Sequence, residues 1–264
     1  MNDALQEAIA GARAYEALHV PALFQEWTAR VLDAAGVAEG HRVLDLACGT
    51  GILARDALKR VGPSGKVVGV DPNPGMLAVA RELADEIQWR EGIAEDLPSE
   101  EASFDRVVSQ FGMMFFRDRS RALREVLRVL APGGRFAIAV WDGLEHSPAY
   151  ATEVQLLDEM AGTAAADALR APFILGDVNA VRAIFADIGL AVDVATIVGR
   201  ARFPSIRAMV EADLRGWLPV MGVELEEEQI AAILGAAEDR LSPFVASDGG
   251  MEFDSPAHIV SGGR

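Results

Sequence analysis

Two glycines and two aspartates in the first third of the chain could together form a ligand site. Gly49 and Gly51 separate a short apolar run, which ends near Asp45, from a run with helical periodicity that begins at Ile52. Glycine lets the backbone turn sharply and approach a ligand, and a helix start directs free N–H groups at whatever is bound. Asp71 closes the next apolar run, at about the spacing at which dinucleotide-binding proteins carry a ribose-binding acid. The pattern predicts a nucleotide-type pocket.

Asp45 favours one nucleotide-type ligand over another. A dinucleotide would place its pyrophosphate on the glycine turn, where a carboxylate at the end of the preceding strand would repel it. S-adenosylmethionine (SAM) has no phosphate, and its α-ammonium group can pair with a carboxylate. We therefore expect SAM at this turn, and an NAD-dependent oxidoreductase with the same glycine turn is the less favoured alternative.

Three segments carry a family resemblance: VLDLACGTG at residues 43–51, VVGVDPNPGMLAVAR at 67–81 and LRVLAPGGRF at 127–136. They resemble class I SAM-dependent methyltransferases, and are most similar to the small-molecule branch that includes quinone-biosynthesis C-methyltransferases. The resemblance covers roughly residues 40–141. It implies an α/β fold, with a Rossmann-like, doubly wound, seven-stranded and mostly parallel sheet, an antiparallel last strand and a helical cap. It also implies methyl transfer to a small, apolar or aromatic acceptor.

The resemblance implies which residues hold SAM. Asp45 would pair with the α-ammonium group, Asp71 would accept hydrogen bonds from both ribose hydroxyls, and the backbone carbonyl of Gln110 would help to hold the ammonium. Asp71 could instead cap the following helix, but Asn73 is available for that role. The expected cofactor-binding residues are Asp45, Ala47, Gly49, Gly51, Asp71, Pro72, Met76, Ile93, Ala94, Glu95 and Gln110.

Ile93 departs from the family pattern. Many relatives have an Asp or Asn at this position, whose side chain accepts a hydrogen bond from the adenine amino group. An isoleucine side chain cannot accept it, so the backbone of Ile93 and Ala94 would contact adenine, with Glu95 as a substitute acceptor. The departure keeps open an alternative function, that of a non-catalytic protein that binds SAM or its product.

Three side chains are candidates for a general base. Methyl transfer from a sulfonium is an in-line displacement with an activated leaving group, so the protein mainly aligns the reactants and excludes water. A base is needed only where the acceptor atom must lose a proton. We consider His146, His19 and Tyr15, in that order, because histidine titrates near neutral pH and His146 follows the fifth strand. Alternatively, His146 is an ordinary loop residue, and Tyr15 and His19 cap packed helices.

The composition of the 264-residue chain excludes several classes of protein. Its formal net charge of −16 opposes nucleic acid as a partner, since phosphate contacts need clustered Lys and Arg. No spacing of His, Cys, Asp and Glu indicates a metal site. No run has the character of a signal peptide or the length of a membrane span, and the single cysteine, Cys48, rules out an internal disulfide. We expect a cytoplasmic protein with a small-molecule acceptor; the sequence does not indicate its oligomeric state.

The remaining pattern predicts the elements that position the site within a single domain. Alternating strands and helices over residues 40–142 predict the SAM-binding core. The pattern also predicts two N-terminal helices within residues 1–38, interrupted at Pro21, and the family resemblance implies that they fold over the site as a lid. Helical segments at 143–176 and 205–247 would form cap insertions, and residues 251–262 would form the last strand. The apolar segment 111–116 is either core or the wall of an acceptor pocket.

Overall fold

The structure, a computed structural model, describes residues 3–264. Within them lie nine strands: β1 (Arg42–Leu46), β2 (Lys66–Asp71), β3 (Gln88–Glu91), β4 (Phe104–Gln110), β5 (Leu130–Trp141), β6 (Asp193–Ile197), β7 (Arg200–Phe203), β8 (Met251–Asp254) and β9 (Ala257–Gly263). The α-helices are α1 (Asp3–His19), α2 (Gln25–Ala35), α3 (Ile52–Val61), α4 (Pro74–Leu83), α5 (Arg119–Val129), α6 (Pro148–Ala161), α7 (Thr163–Arg170), α8 (Val178–Ala186), α9 (Ile206–Ala212), α10 (Leu218–Val220) and α11 (Glu227–Arg240). Two further segments, Val20–Phe24 and Asp213–Trp217, are π-helical.

Seven of the strands form one sheet in the order β3-β2-β1-β4-β5-β9-β6. Strands β1 to β5 run parallel, and β9 runs antiparallel to both of its neighbours, β5 and β6. Helices flank the sheet, so the predicted Rossmann-like, doubly wound fold with an antiparallel last strand is confirmed. The strand order reverses between β1 and β4, and in such sheets ligands bind outside the carboxyl ends of the strands at this point.

The register of the sheet brings the predicted carboxylates to that edge. Asp45 of β1 pairs with Gly69 of β2, and Asp71 is the last residue of β2. Residues 43–46 and 67–71 are buried, as expected for apolar parallel strands covered on both faces. Each carboxylate is therefore buried where its strand ends.

The N-terminal helices are joined without a break. The predicted interruption at Pro21 is wrong, because the chain stays helical through Pro21, which lies in the π-helical segment Val20–Phe24. The buried ring of Trp27 is part of α2, which packs on β4 and β5. Helix α1 lies on α4, and Gly75 permits this contact because a Cβ there would come within 2.6 Å of the Ala8 backbone.

The predicted last strand, residues 251–262, is in fact two strands. Strand β8 pairs with β7 in a separate two-stranded antiparallel sheet, and β9 enters the main sheet. Pro256 lies between them and has no N–H to continue a ladder, while the N–H of Ser255 donates to the carbonyl of Gly199 at 2.9 Å. Helices α6, α7 and α9 to α11 fall within the segments predicted to be cap insertions.

One apolar core extends from the sheet into the C-terminal helices. It includes Phe136 of β5 and Phe185 of α8, whose rings stack with centroids 5.8 Å apart. Met209 of α9 and Ile233 of α11 belong to the same cluster, so the C-terminal helices are packed onto the sheet through a shared core. Among residues 3–264, no helix combines the length and the apolar character that crossing a membrane requires.

Candidate active site

A cavity of about 940 Å³ opens at the carboxyl edge of the parallel strands. Part of its lining comes from residues 45–121, at the ends of β1, β2 and β4 and in the turns that follow; we call this the sheet wall. The rest comes from residues 15–24 and 141–255, mainly from α1, the π-helical segments and the helices after β5; we call this the outer wall. The cavity thus joins distant parts of the chain.

The glycine turn of the sheet wall has a left-handed backbone and is held by Asp71. Ala47, Gly49 and Gly51 have φ angles of 56°, 54° and 85°. The N–H of Gly49 donates to Oδ2 of Asp71 at 2.9 Å. A Cβ at Gly51 would lie 2.3 Å from the ring of Trp89. Ala47 and Gly49 therefore line the cavity as expected, whereas Gly51 packs against Trp89 instead.

Asp71 is held as a hydrogen-bond acceptor beside this turn. Its Oδ1 accepts from the N–H of Asn73 at 2.8 Å, and its Oδ2 accepts from Gly49. The side chain of Asn73 accepts from the N–H groups of Gly75 and Met76, so Asn73 caps α4 and Asp71 does not. Burial raises the pKa of Asp71, and the two N–H donors oppose that rise.

Asp45 has a free oxygen at the same edge. The residue is 1% exposed, and its Oδ2 has no hydrogen-bond partner among residues 3–264. Burial raises the pKa of Asp45 well above its usual range; a hydrogen bond from the N–H of Ala54 opposes this, and the charge of Asp71 adds to it. The guanidinium of Arg55 donates to Glu16 at 2.6 Å rather than to Asp45. A cationic ligand group would satisfy the free oxygen of Asp45 and lower its pKa.

The remaining expected cofactor residues also lie in the sheet wall. Ile93 lines the cavity and is 50% exposed. Oε1 of Glu95 accepts from the backbone N–H groups of residues 117–118 at 2.7 and 3.1 Å, so this oxygen already anchors a loop. The side chain of Gln110 donates to the carbonyl of Phe24 at 3.0 Å and ties β4 to the outer wall. The same wall includes Pro72, Met76 and Ala94.

The part of the chain that resembles known proteins contains the sheet wall. Residues 43–134 match the family model described as a methyltransferase domain. This segment is a methyltransferase domain. It contains β1 to β4, the glycine turn and both carboxylates.

Relatives of the methyltransferase domain share about two fifths of its residues. The ubiquinone/menaquinone biosynthesis C-methyltransferase UbiE of Pasteurella multocida is 40% identical over 118 residues, which is 42% of this chain and 44% of the relative. The demethylmenaquinone methyltransferase of Lactococcus lactis subsp. lactis is 40% identical over 114 residues, 41% and 45% of the two chains. The match thus spans less than half the length of either relative. The solved structure of YcgJ from Bacillus subtilis shares the fold, with a TM-score of 0.58 at 20% identity over 89% of this chain and 97% of that one.

Aromatic side chains dominate the outer wall, which lies outside the methyltransferase domain. Trp141 stacks on Phe111 of the domain, with centroids 3.6 Å apart and 7° between the ring planes. Trp217 lies 5.5 Å from Phe115 between centroids, and its Nε1 donates to the carbonyl of Ala168 at 2.8 Å. Such a wall fits the faces and edges of an aromatic molecule. Its aromatic members are Tyr15, Phe24, Trp141, Tyr150, Phe173 and Trp217.

The apolar segment 111–116 has both of the roles that the sequence left open. Phe111, Phe115 and Phe116 line the cavity. Met113 and Met114 are buried in the core. Phe111 has a left-handed backbone, with a φ of 57°, and a bulky residue in this conformation is the kind of strain that clusters at functional sites.

Two of the three candidate bases line the cavity. The rings of His19 and Tyr15 face it and stack with centroids 5.6 Å apart. Burial raises the pKa of Tyr15, so that it stays a neutral phenol at physiological pH. His146, the first candidate, is not brought to the cavity. It ends a short 3₁₀ helix after β5, its side chain is 57% exposed, and its Nδ1 lies 3.1 Å from Oδ2 of Asp142.

Two buried carboxyl groups beside His19 were not expected from the sequence. Oδ1 of Asp213 lies 3.3 Å from Nε2 of His19, and Glu153 of α6 is buried next to Asp213. A signal for Glu153 does exist, because it shares a helical face with Tyr150 and Leu157, a position that core-facing helices keep apolar. Among residues 3–264, no group of three His, Cys, Asp or Glu side chains is placed to hold a metal ion.

Proposed function

We propose that this protein transfers the methyl group of SAM to a small aromatic acceptor. The observation that carries the proposal is the pair Asp45 and Asp71 at the glycine turn of a methyltransferase domain. The free Oδ2 of Asp45 fits the α-ammonium group, and Asp71, oriented by two backbone N–H groups, keeps lone pairs for the ribose hydroxyls. These residues fit SAM better than a dinucleotide, whose pyrophosphate Asp45 would repel.

The rest of the sheet wall would hold the adenine. When bound, SAM supplies a methyl group on a positively charged sulfur, which an acceptor atom takes by in-line displacement. The half-exposed side chain of Ile93 offers apolar contact to a base, and the backbone of Ile93 and Ala94 offers hydrogen bonds. Glu95 is a weaker substitute acceptor than the sequence suggested, because one of its oxygens is already engaged by residues 117–118.

The outer wall would bind the acceptor and exclude water. Its aromatic rings favour an aromatic acceptor. The relatives named for ubiquinone, menaquinone and demethylmenaquinone support an acceptor of the quinol or phenol kind. In this proposal α1 and the helices after β5 act as lid and cap. The buried, unpaired thiol of Cys48 is compatible with the reducing cytoplasm in which we place the protein.

Calorimetric titration with SAM, S-adenosylhomocysteine and NAD tests the cofactor. Both sulfur ligands should bind, and NAD should not. A panel of phenols, quinols and apolar acids would follow, with formation of S-adenosylhomocysteine as the readout. Binding of NAD alone would indicate an oxidoreductase instead, and binding of SAM without methylation of any acceptor would indicate a non-catalytic ligand-binding protein.

A further inference from the structure

Two π-helical segments place His19 beside Asp213 on the outer wall. His19 is the last residue of α1 and directly precedes Val20–Phe24, and Asp213 is the first residue of Asp213–Trp217. π-Helical turns are rare in proteins as a whole, and those that occur are often at functional sites. Nε2 of His19 lies 3.3 Å from Oδ1 of Asp213, although the two residues are 194 positions apart. Both line the cavity and are buried, with exposed fractions of 8% and 3%.

Glu153 completes a buried row of titratable groups behind His19. It is fully buried, and its carboxyl group interacts with that of Asp213. Burial, together with the charge of Asp213, raises the pKa of Glu153 well above its usual range. Burial also raises the pKa of Asp213, but the hydrogen bond from His19 opposes that rise. Glu153 therefore holds the proton of the pair, and Asp213 holds the negative charge.

The charge on Asp213 determines which nitrogen of His19 is free. A carboxylate only accepts hydrogen bonds, so the proton between the two groups belongs to Nε2 of His19. In the neutral imidazole Nδ1 then carries the lone pair, and Nδ1 is buried without a hydrogen-bond partner among residues 3–264. The nearby tyrosines, Tyr15 and Tyr150, stay protonated because burial raises their pKa values. The other titratable side chains that line the cavity are Asp45, Cys48, Asp71, Glu95, Arg117, Asp118 and Arg121.

We propose that His19 is the catalytic general base for an acceptor with an aromatic hydroxyl group, and that Asp213 is the positioning residue that orients it. The inference rests on the proposed function and names the class of acceptor and the group that activates it. The hydroxyl proton moves to Nδ1 of His19, and the electron pair left on the oxygen forms the bond to the methyl carbon. The carbon–sulfur bond breaks with its electrons staying on sulfur, which neutralises the sulfonium charge. The proton on His19, paired with Asp213, then passes to water.

The test compares two acceptors, a phenol that is un-ionised at the assay pH and a nitrophenol that is already ionised. His19→Gln is expected to lower kcat for the un-ionised phenol by about 10²- to 10⁴-fold. It should lower kcat for the nitrophenolate much less, because that proton has already been lost. His146→Gln changes an exposed histidine outside the cavity and should leave both values unchanged. An equal loss for both acceptors in His19→Gln would overturn the assignment of a base.

Substitutions at Asp213 and Glu153 test whether these residues orient His19 or only pack against it. Asp213→Asn should also lower kcat for the un-ionised phenol. Glu153→Gln should lose much less, because glutamine, like a protonated glutamic acid, carries no charge. ¹⁵N NMR of the histidine rings, in protein saturated with S-adenosylhomocysteine, provides a readout without turnover. His19 should show the Nε2–H tautomer in the wild type and lose this preference in Asp213→Asn; an Nδ1–H tautomer in the wild type would contradict the proposal.

Failure of this inference is distinguishable from failure of the proposed function. Thermal unfolding and affinity for S-adenosylhomocysteine show whether each variant is folded. If the wild type binds SAM but methylates neither phenol, the inference fails together with the proposed acceptor class. If the wild type methylates both and His19→Gln retains full activity, the inference alone fails.

Discussion

The sheet wall and the outer wall of one cavity are assembled in different ways. In the sheet wall, the lining residues lie at the ends of parallel strands or in the turns and helix starts that follow them, all within residues 45–121. In the outer wall, the lining residues come from 15–24 and 141–255, so they are separated by most of the chain. A local motif on a sheet builds the first, and packing between remote helices builds the second. The comparison teaches that residues of the proposed cofactor site are easier to predict from a sequence than residues of the proposed acceptor site.

The two walls also use buried carboxyl groups differently. Asp45 in the sheet wall has a free oxygen, which suits a cationic ligand group. Asp213 in the outer wall faces a histidine of the protein and a second carboxyl group. In our proposals the first carboxyl group binds the cofactor, and the second orients another side chain.

A substitution in the glycine turn should have the largest effect on the stability of the sheet wall. Gly51→Ala should destabilise the protein by about 3 kcal/mol, because its Cβ would lie 2.3 Å from the ring of Trp89 at a φ of 85°. Gly133→Ala is the matched control, since Gly133 has a φ of 77° but no described atom within 4 Å of such a Cβ. It should cost about 1 kcal/mol. Urea unfolding measures both, and equal losses would show that the contact with Trp89 is unimportant.

Loss of either carboxylate of the sheet wall should weaken the binding of SAM. Asp45→Ala and Asp71→Ala should each weaken SAM binding by about 1.5 to 3 kcal/mol, the range for a hydrogen bond to a charged group. Calorimetry with SAM measures the loss, and Asp85→Ala, at an exposed position outside the cavity, is the control. Unchanged affinity in one variant would remove that residue from the cofactor site.

Glu153→Gln should reduce the fall of stability with rising pH. Because burial raises the pKa of Glu153, the folded protein keeps a proton that the unfolded chain loses above about pH 4.3. The folded state thus binds more protons, so the free energy of unfolding falls as pH rises, by up to about 1.4 kcal/mol per pH unit, until Glu153 ionises in the folded state. The variant should gain stability over the wild type between about pH 5 and pH 8 in urea unfolding. Exposed Glu238→Gln should follow the wild type, and an identical pH dependence in Glu153→Gln would show that Glu153 is ionised.

Trp217→Leu should give the smallest effect and test the outer wall alone. Removing an aromatic contact is worth about 0.5 to 1.5 kcal/mol, so KM for an aromatic acceptor should rise by about three- to tenfold. The Kd for SAM should not change, because Trp217 lies outside the methyltransferase domain. Val198→Ala, at an exposed position away from the cavity, is the control. A rise in the Kd for SAM with unchanged KM would reverse the assignment of the two walls.

Sequence patterns predicted the first strands of the sheet correctly and the C-terminal strands less well. Residues 43–46 and 67–70 are apolar runs bounded by turns, and both are strands in the structure. The helix predicted from Ile52 to Val61 has those bounds. The single strand predicted over 251–262 failed because pairing partners decide strand identity, and β8 pairs with β7 rather than with β5. Pro21 misled for a related reason, since a π-helical turn accommodates it without a break.

Within the site, some predicted residues lie where the sequence placed them and others do not. Asp45 and Asp71 lie at the edge to which strand endings assigned them. Gly51 was expected at the ligand, but its neighbour is Trp89, a contact that no local pattern reveals. His146 was ranked first because it follows β5, yet the 3₁₀ turn that ends at His146 directs it to Asp142. Following a strand was thus a good guide only when the residue stood at the strand end itself.

The sequence by itself determined the parallel sheet, the glycine turn and the two carboxylates beside it, because periodicity and strand endings are local properties of the chain. Tertiary structure alone decided that His19 meets Asp213, since a contact between residues 194 positions apart depends on how remote helices pack. It also decided the direction of the pKa shifts, because burial raises the pKa values of Glu153 and Asp213, and the hydrogen bond from His19 opposes the rise at Asp213. Desolvation is a property of the packed molecule, and no spacing along the chain encodes it.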